Sequence, residues 1–567
     1  MSVGTAEVDA VVTELQAGLD GREVTLTLSS AGTDAVRALG AAWLLATVRS
    51  LETAYPGRGV ELVLRTSSSE PMPEGGVIQP ASAGGIFLGG DGVGRLTVRG
   101  EADATPVWRV LQLPSPDLLA HDGTFTFIAP TDRVRRRVGA LYSALYDRAP
   151  VLLDTWRQNR NDISPSSRSP MQPRAPRLDP VGAAVAPREP QSEAGGRRPA
   201  VWVAMHWIET GGAEAWGFRS AQIARDAGYE VVITADRSAP QRALDKALEI
   251  TPHVYLAANA LAHEDWDPFL RGLLERHDIR LVHVHHSARA YAFLPELKHI
   301  RADIGVIDST HIVEHRTGGF VRQSLEYSNL IDVHHVISPE LRDLYLLDGG
   351  VRRDKVVYRP LTDLHVSESA TRTDGVELIA GGREPGAPLR IGFLGRLVPQ
   401  KRPFLFVELV RRLHRAHPGA FTFLMQGSGT LEPQVRAQIA RSGLSDVIVR
   451  REWGPVADFF ASVDVLVVSS DNEGITLTSL EADEHGVLVV SADVGSQRTV
   501  VAPAALVPRQ PQQFLRQAQG VLERLAADDD AFARAQSEQR ALLAELRAAE
   551  PATTFLTTFY HQLKERT

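Results

Sequence analysis

The chain has 567 residues, of which 43% are hydrophobic and 23% charged, and a formal net charge of -8 at pH 7. This length exceeds what one hydrophobic core supports, so about three domains are expected. The acidic balance lacks the positive field that binds polyanions, and nucleic acid is therefore excluded as an expected partner. Because the chain has no cysteine, disulfides, thiolate metal ligands and cysteine nucleophiles are also excluded.

Neither a secretory signal peptide nor a membrane span is expected from the sequence. The first residues lack the basic and apolar regions of a secretory signal peptide. No segment reaches the roughly 18 apolar residues that a membrane span requires. We therefore expect a cytoplasmic protein.

Residues 1–150 are predicted to form a small accessory α/β domain in which no catalytic chemistry is visible. The pattern predicts a strand at Val24–Leu28, a helix at Thr33–Tyr55 and a strand at Val60–Arg65. A further strand is predicted at Thr124–Ala129.

A basic amphipathic helix is predicted at Asp132–Arg148. Its apolar stripe is formed by Val134, Val138, Leu141 and Leu145, with arginines on its other faces. We expect this stripe to pack on the helix's own domain. The alternative is contact with anionic lipid, which would place the protein at the inner face of the cell membrane.

Residues 151–198 are predicted to be a linker without a core of their own. The segment is rich in proline, serine and arginine and shows no apolar periodicity.

Regular alternation of strands and helices follows the linker and predicts two Rossmann-like domains, at 199–366 and 385–545. The predicted strands of the first are Ala200–Met205, Val231–Ala235, Leu281–His285, Val306–Asp308 and Val333–Ser338. Those of the second are Arg390–Leu394, Phe421–Gln426, Val447–Arg450, Val463–Ser469 and Val487–Ser491. Two doubly wound domains of this kind face a cleft at the carboxyl ends of their strands. Residues 546–567 are predicted to form a helix that crosses back to the first of these domains.

The most informative motif places Glu473 and Glu481 directly after the apolar run Val463–Val468. A strand that ends in a turn with a glycine, here Gly474, and then opens a helix presents free N–H groups to phosphates. The carboxylates of Glu473 and Glu481 would not bind a phosphate, but they can accept hydrogen bonds from hydroxyls. A ligand that is both phosphate and polyol, such as a nucleotide sugar, fits this combination.

Two cations follow another predicted strand of the same domain. Arg396 comes directly after Gly395, and Lys401 lies five residues further on. A guanidinium fork and a mobile ammonium could together hold a diphosphate. As an isolated pair they would more often be solvated loop charges, but their place ahead of the Glu473 turn favours a ligand role.

In the first Rossmann-like domain, Gly211 and Gly212 follow the first strand and would let the backbone approach a ligand closely. The G-x-G-x-x-G spacing is missing, which disfavours a nicotinamide site. A plain turn would have the same pattern.

These motifs together resemble the retaining family-4 glycosyltransferases (glycosyl transferases group 1) of GT-B fold, of the type that builds bacterial surface polysaccharides. The resemblance covers about residues 199–545 and rests on Gly211-Gly212-Ala213-Glu214, Gly395-Arg396-Leu397, Lys401, Gly427-Ser428-Gly429, Glu473 with Glu481, and Asp493-Val494-Gly495. It implies an α/β GT-B fold with two Rossmann-like doubly wound domains facing a cleft. It also implies hexose transfer from a nucleoside diphosphate sugar, a UDP- or GDP-sugar, to a hydroxyl acceptor, without a metal or other cofactor.

The resemblance also implies roles for individual residues. Arg396 and Lys401 would bind the donor diphosphate, Glu473 the sugar hydroxyls and Glu481 the ribose. The remaining donor-binding positions would be Gly211, Gly212, Gly395, Gly474, Ile475, Thr476, Leu477 and Thr478. The segment Asp308–His311 is similar to acceptor-side halves of such enzymes and would bring His311 near the transferred sugar.

The neighbouring histidines His283, His285 and His286 are residues of the type that binds metals. Strand alternation splits them between two faces, so no metal is expected.

The sequence departs from the family pattern at three places. Ile475 and Thr476 stand where an aromatic residue and glycine are usual, and Tyr358-Arg359-Pro360 stands where Asn-Gly is usual. The acid that normally follows Gly495 is missing. These departures bear on donor preference rather than on the class of reaction.

Two other functions share this pattern. A sugar-nucleotide epimerase of the same fold would use the diphosphate site but no acceptor. A non-catalytic GT-B subunit would act as an adaptor or activator.

Overall fold

The computed structural model describes residues 3–67, 92–101, 104–114, 144–163, 197–314, 318–364, 387–429 and 431–566. The strands are β1 Val24–Leu28, β2 Val60–Ser67, β3 Gly92–Val98, β4 Val107–Pro114, β5 Pro199–Met205, β6 Glu230–Ala235, β7 Val254–Tyr255, β8 Asp278–His285, β9 Gly305–Thr310, β10 Val333–Val336, β11 Val356–Tyr358, β12 Leu389–Leu394, β13 Phe421–Gln426, β14 Ile448–Arg451, β15 Val465–Val468, β16 Leu488–Ala492 and β17 Leu506–Val507. The α-helices are α1 Val3–Gly18, α2 Ser30–Leu39, α3 Ala41–Ala54, α4 Pro150–Ile163, α5 Gly212–Asp226, α6 Leu244–Ile250, α7 Ala257–Ala260, α8 Trp266–Arg276, α9 Ala288–Ile300, α10 Gly319–Glu326, α11 Pro339–Asp343, α12 Pro403–Ala416, α13 Glu432–Arg441, α14 Val456–Phe460, α15 Leu477–Glu484, α16 Pro511–Ala527, α17 Asp529–Ala548 and α18 Ala552–Arg566.

The N-terminal domain packs helices α1 to α3 on a four-stranded sheet of order β1-β3-β2-β4. The prediction of one helix at Thr33–Tyr55 is wrong, because the chain breaks at Gly40, where φ is 80°. That left-handed backbone ends α2, and α3 begins at the next residue. The predicted strand Thr124–Ala129 and residues 132–143 of the predicted basic helix lie outside the described residues.

The N-terminal domain and the first Rossmann-like domain share one apolar core. The indole of Trp43 donates to the carbonyl of Pro240 at 3.0 Å. The guanidinium of Arg109 forms a buried ion pair with Asp265 at 2.8 Å, and Tyr55 donates to the same carboxylate. The accessory domain is therefore docked on its neighbour through buried polar as well as apolar contacts.

The two following sheets are entirely parallel, and each reverses its strand order once. The first has the order β11-β10-β9-β8-β5-β6-β7 and the second β14-β13-β12-β15-β16-β17. The strand order therefore changes direction between β5 and β8, and again between β12 and β15. Apolar strands such as Leu488–Ala492 are buried along their whole length, as expected for strands covered on both faces. The prediction of a GT-B fold with an added N-terminal α/β domain is confirmed.

The prediction that residues 151–198 form a linker is wrong for its first part. Residues 150–163 form α4, which packs on α12 and α16 of the second Rossmann-like domain. This helix buries Asp154 and Gln158, while Leu152 and Trp156 are 66% and 54% exposed. A helix that buries polar side chains and exposes apolar ones has no amphipathic pattern to reveal it. Residues 164–196 lie outside the described residues.

The C-terminal helix α18 packs on α5 of the first Rossmann-like domain. Tyr560 is completely buried there, and Lys564 donates to the carbonyl of Ala227 at 2.9 Å. Just before α18, Glu550 forms an ion pair with Arg359 at 2.7 Å. Arg359 belongs to the segment Tyr358-Arg359-Pro360 that stands where the family usually has Asn-Gly. None of the helices in the described ranges is long and apolar enough to cross a membrane.

We expect Asp265→Ala to lower the free energy of unfolding by about 3 to 5 kcal/mol, because it leaves the Arg109 charge buried without its partner. Denaturant unfolding measures this difference. Asp267→Ala, which removes an exposed carboxylate two residues further along, in the first turn of α8, is the control and should change stability by less than about 0.5 kcal/mol. Equal stability of the two variants would contradict a structural role for the buried ion pair.

Candidate active site

A cleft of about 1390 Å³ lies between the two Rossmann-like domains. Its walls are formed by residues that follow the carboxyl ends of strands in both sheets, next to the points at which the strand order reverses. Ligands of open α/β sheets bind at such switch points. The predicted residues that line the cleft are Gly211, Gly212, His311, Gly395, Arg396, Lys401, Glu473, Gly474, Ile475, Thr476, Leu477 and Thr478.

The cations Arg396 and Lys401 both follow β12. Arg396 is partly exposed in the cleft and has no hydrogen-bond or ion-pair partner among the described residues. Lys401 is ion-paired with Glu473 at 2.5 Å, and the two side chains are 24% and 8% exposed. The sequence assigned these two residues to different parts of a ligand, whereas the structure pairs them directly.

The turn that carries Glu473 is held tightly between the domains. A Cβ atom added to Gly474 would lie 1.8 Å from the carbonyl oxygen of His311, in the other domain. On the opposite side, Gly495 has φ of +54°, and a Cβ there would lie 1.8 Å from the carbonyl oxygen of Glu473. The amide of Gln497 donates to the carbonyl of Gly474 at 2.9 Å. Glycine is therefore required at both positions, and the turn has little freedom to move.

The unusual pair Ile475 and Thr476 is accommodated by packing. Ile475 contacts the apolar cores of both domains. The Thr476 hydroxyl is buried and hydrogen-bonded to Ser479, at the start of α15. Leu477 opens this helix and lies beside Gly212, where an added Cβ would be 3.1 Å from its side chain. The N–H of Ser479 donates to the carbonyl of Thr476 at 2.9 Å, whereas those of Leu477 and Thr478 at the start of the helix have no partner within it and suit an anion.

Glu481, predicted to bind the ribose, does not line the cleft, unlike the other predicted residues. It lies on α15 one turn beyond Leu477 and is 9% exposed. Its carboxyl has no hydrogen-bond or ion-pair partner among the described residues. Burial, with a smaller effect of Glu484, raises the pKa of Glu481 to about 7.

On the opposite wall, the carboxylate of Glu214 lies next to Gly211 and contacts the side chains of Trp207 and His206. It accepts a hydrogen bond from the indole of Trp207, and His206 lies 3.3 Å from its carboxylate. Burial raises the pKa of Glu214. Gly211 thus lies beside this buried acid, and Gly212, which opens α5, lies beside Leu477 of the second domain.

His311 is buried and its Nε2 atom has no hydrogen-bond partner. Burial and the nearby His286 lower the pKa of His311 well below its usual value, so the imidazole is neutral at pH 7. A neutral ring can donate and accept hydrogen bonds in the cleft.

The adjacent histidines are bonded within the fold. His283 lies between the Tyr560 and Ser309 hydroxyls, at 3.0 and 2.9 Å, and His285 bonds the Ser220 hydroxyl at 2.9 Å. In the part of the chain that the structure describes, no group of three His, Asp or Glu side chains is arranged to hold a metal ion.

Sequence reasoning missed several residues of the cleft. Trp453 follows β14, lines the cleft and is 51% exposed. Arg237 follows β6 and lies over the Trp207 ring at 4.7 Å. Each lies two residues after the end of a strand, at the carboxyl edge of its sheet, as the predicted residues do. That position could have identified them.

Comparison with known proteins gives a match at the second Rossmann-like domain. Residues 388–524 match the family model described as glycosyl transferases group 1. The chain is similar to D-inositol 3-phosphate glycosyltransferases of Kineococcus radiotolerans, 34% identical over 171 residues that cover 25% of this chain and 39% of the relative, and of Streptosporangium roseum, 30% identical over 174 residues that cover 29% and 39%. It thus spans about two fifths of the length of these curated relatives.

Two solved structures give the following comparisons. Sucrose-phosphate synthase from Thermosynechococcus elongatus has a TM-score of 0.49 at 16% identity, covering 65% of this chain and 100% of that one. HepE of Anabaena in complex with UDP-glucose has a TM-score of 0.46 at 15% identity, with the same coverage.

We expect Glu481→Gln to stabilise the ligand-free protein at pH 8 but not at pH 5. The raised pKa means that the folded state resists ionisation, so stability is lost as pH rises from the unfolded value near 4.5 through about 7. Glutamine removes this penalty, which amounts to at most about 3 kcal/mol. Denaturant unfolding at both pH values measures it. Glu538→Gln, an exposed control on α17, should show no such pH dependence, and a pH-independent effect of Glu481→Gln would contradict the assignment.

Proposed function

We propose that the chain is a retaining glycosyltransferase that moves a hexose from a nucleoside diphosphate sugar to a hydroxyl acceptor. The observation that carries this proposal is the convergence, in one interdomain cleft, of the unpaired Arg396, the Lys401–Glu473 pair and the Gly474 turn that opens α15. Cations and helix N–H groups suit a diphosphate, while a carboxylate beside them suits sugar hydroxyls.

The comparisons support the same class of reaction. The match to glycosyl transferases group 1 covers the domain that contains Arg396, Lys401 and Glu473, and the curated relatives are named as glycosyltransferases. Family 4 and UDP- or GDP-sugars as donors are part of the proposal, as is a role in cell-surface polysaccharide or glycoconjugate biosynthesis. A cytoplasmic protein that works at the inner face of the cell membrane fits this role.

In the proposed donor complex, the diphosphate lies between Arg396 and the first turn of α15. Lys401 has three donors, so it can keep its bond to Glu473 while it also reaches a phosphate oxygen. Glu473 would then orient the ammonium and accept a bond from a sugar hydroxyl with its second oxygen. The exposed ring of Trp453 offers a face on which the base can stack.

The chemical step breaks the bond between the anomeric carbon and the diphosphate oxygen and forms a bond from that carbon to the acceptor oxygen. The acceptor proton passes to the leaving diphosphate, on the same face of the sugar, so the configuration is retained. Preorganised positive charge stabilises the negative charge that develops on the leaving group. Because Arg396, Lys401 and the helix end supply this charge, we propose that no metal is needed.

The acceptor side of the proposed site is the first Rossmann-like domain. In this proposal the neutral His311, which lines the cleft and whose Nε2 has no partner, would donate to or accept from a hydroxyl of the transferred sugar. The glycines Gly211 and Gly212 leave room for backbone contact. A sugar, a lipid-linked glycan or a protein hydroxyl would be the acceptor.

We expect Arg396→Ala to lower the turnover number roughly 100- to 1000-fold, because it removes a donor aimed at the charge that develops in the transition state. Steady-state release of nucleoside diphosphate measures the effect. The control Arg415→Ala removes an exposed guanidinium from α12 and should retain wild-type turnover. Wild-type turnover of Arg396→Ala would overturn the mechanism.

A ligand panel tests the function itself. UDP, GDP, ADP and the corresponding glucose and mannose conjugates are added to the full chain in a thermal-shift assay, and a true donor raises the midpoint. Reactions with the stabilising donor then include EDTA and a set of acceptors, among them D-inositol 3-phosphate. Transfer that persists in EDTA supports the proposal. Stabilisation by none of the nucleotides would contradict it, and conversion of the donor without an acceptor would indicate an epimerase.

A further inference from the structure

The fully buried guanidinium of Arg402 organises the loop that leads to Glu473. Arg402 directly follows Lys401 and is 0% exposed, with a left-handed φ of 47°. Its Nε donates to the carbonyl of Ser469 at 2.7 Å and its Nη2 to the carbonyl of Ser470 at 2.8 Å. The same side chain therefore connects the end of β15 to the segment that carries Lys401.

Helix α4 supplies a counter-charge for this guanidinium from outside the Rossmann-like domains. Its Asp154 lies 3.3 Å from Nη1 of Arg402, and the two side chains are 3% and 0% exposed. A second carboxylate, Asp471 of the loop itself, lies 3.7 Å from Nη1. A buried charge is costly unless it is paired and hydrogen-bonded. The conformation of the loop thus depends on a helix that precedes these domains in the chain.

A second contact of α4 reaches the loop directly. The amide of Gln158 donates to the carboxylate of Asp471 at 2.7 Å, and the guanidinium of Arg509 lies 3.1 Å from the same oxygen. The N–H of Asp471 in turn donates to the carbonyl of Gln400 at 2.8 Å. Asp471 is two residues before Glu473, and Gln400 is the residue before Lys401.

We propose that α4 is a positioning element of the donor site, in which Asp154 and Gln158 hold the Ser469–Asn472 loop and thereby Glu473 and Lys401. Neither Asp154 nor Gln158 lines the cleft. The inference rests on the proposed function for its catalytic consequence, but the ordering of the loop can be tested without it.

The segment that ends in α4 is also anchored independently on the second Rossmann-like domain. Tyr146 packs edge-on against Phe404 at 5.6 Å, and Arg441 donates to the carbonyl of Asp147 at 2.6 Å. Because neither contact involves a residue of the Ser469–Asn472 loop, loss of a single polar contact to the loop should leave α4 docked.

The test uses Gln158→Ala in the full chain, because it removes a neutral amide and leaves no buried charge unpaired. We expect faster amide hydrogen exchange in the peptide that covers residues 469–476. We also expect a roughly 10- to 100-fold fall in kcat/KM with UDP-glucose or the donor that the panel identifies, since small misplacement of catalytic groups has effects of this size. The control Leu152→Ser changes an exposed residue of the same helix and should alter neither quantity.

A double-mutant cycle separates positioning from general stability. If Gln158 acts through the loop, the effects of Gln158→Ala and Glu473→Gln on kcat/KM should be less than additive in free energy. Additive effects, or exchange at 469–476 equal to wild type, would overturn the proposal. If the wild-type chain binds no nucleotide sugar, the proposed function fails, while hydrogen exchange still decides whether α4 orders the loop.

Discussion

The contact between Gly474 and the carbonyl oxygen of His311 determines how the two Rossmann-like domains meet. The backbones approach so closely that a methyl group has no room, and Ile475 beside this contact packs on both apolar cores. Gly474, in the loop between β15 and α15, is thereby placed against His311, the residue that follows β9 in the other sheet. The position of Glu473 and His311 on the two walls of the cleft depends on this approach.

Ion pairing and burial leave few charged groups in the cleft free to meet a ligand. Lys401 and Glu473 neutralise each other, and desolvation leaves His311 uncharged and raises the pKa of Glu214 on the opposite wall. Arg396 has no partner among the described residues. An incoming anion therefore meets the Arg396 guanidinium, which no described carboxylate pairs, and the start of α15.

The N-terminal domain is connected to both halves of the cleft. Its sheet and helices share a core with the first Rossmann-like domain, through Trp43 and the Arg109–Asp265 pair. The segment that leaves it ends in α4, which docks on the second domain beside Arg402. The C-terminal helix returns in the other direction, with Tyr560 buried in the first domain. Each Rossmann-like domain thus binds a helix that is distant from it in the chain: α18 packs on the first and α4 on the second.

The sequence by itself determined the two doubly wound domains and the position of Arg396, Lys401 and Glu473 at their carboxyl edges. Apolar runs of strand length and glycine turns are local signals, and parallel sheets convert them into a common edge. Tertiary structure alone decided that Lys401 pairs with Glu473, that Glu481 lies behind the cleft and that α4 is a docked helix. These features depend on polar side chains that become partners only when distant segments fold together, and no periodicity along the chain records such a pairing.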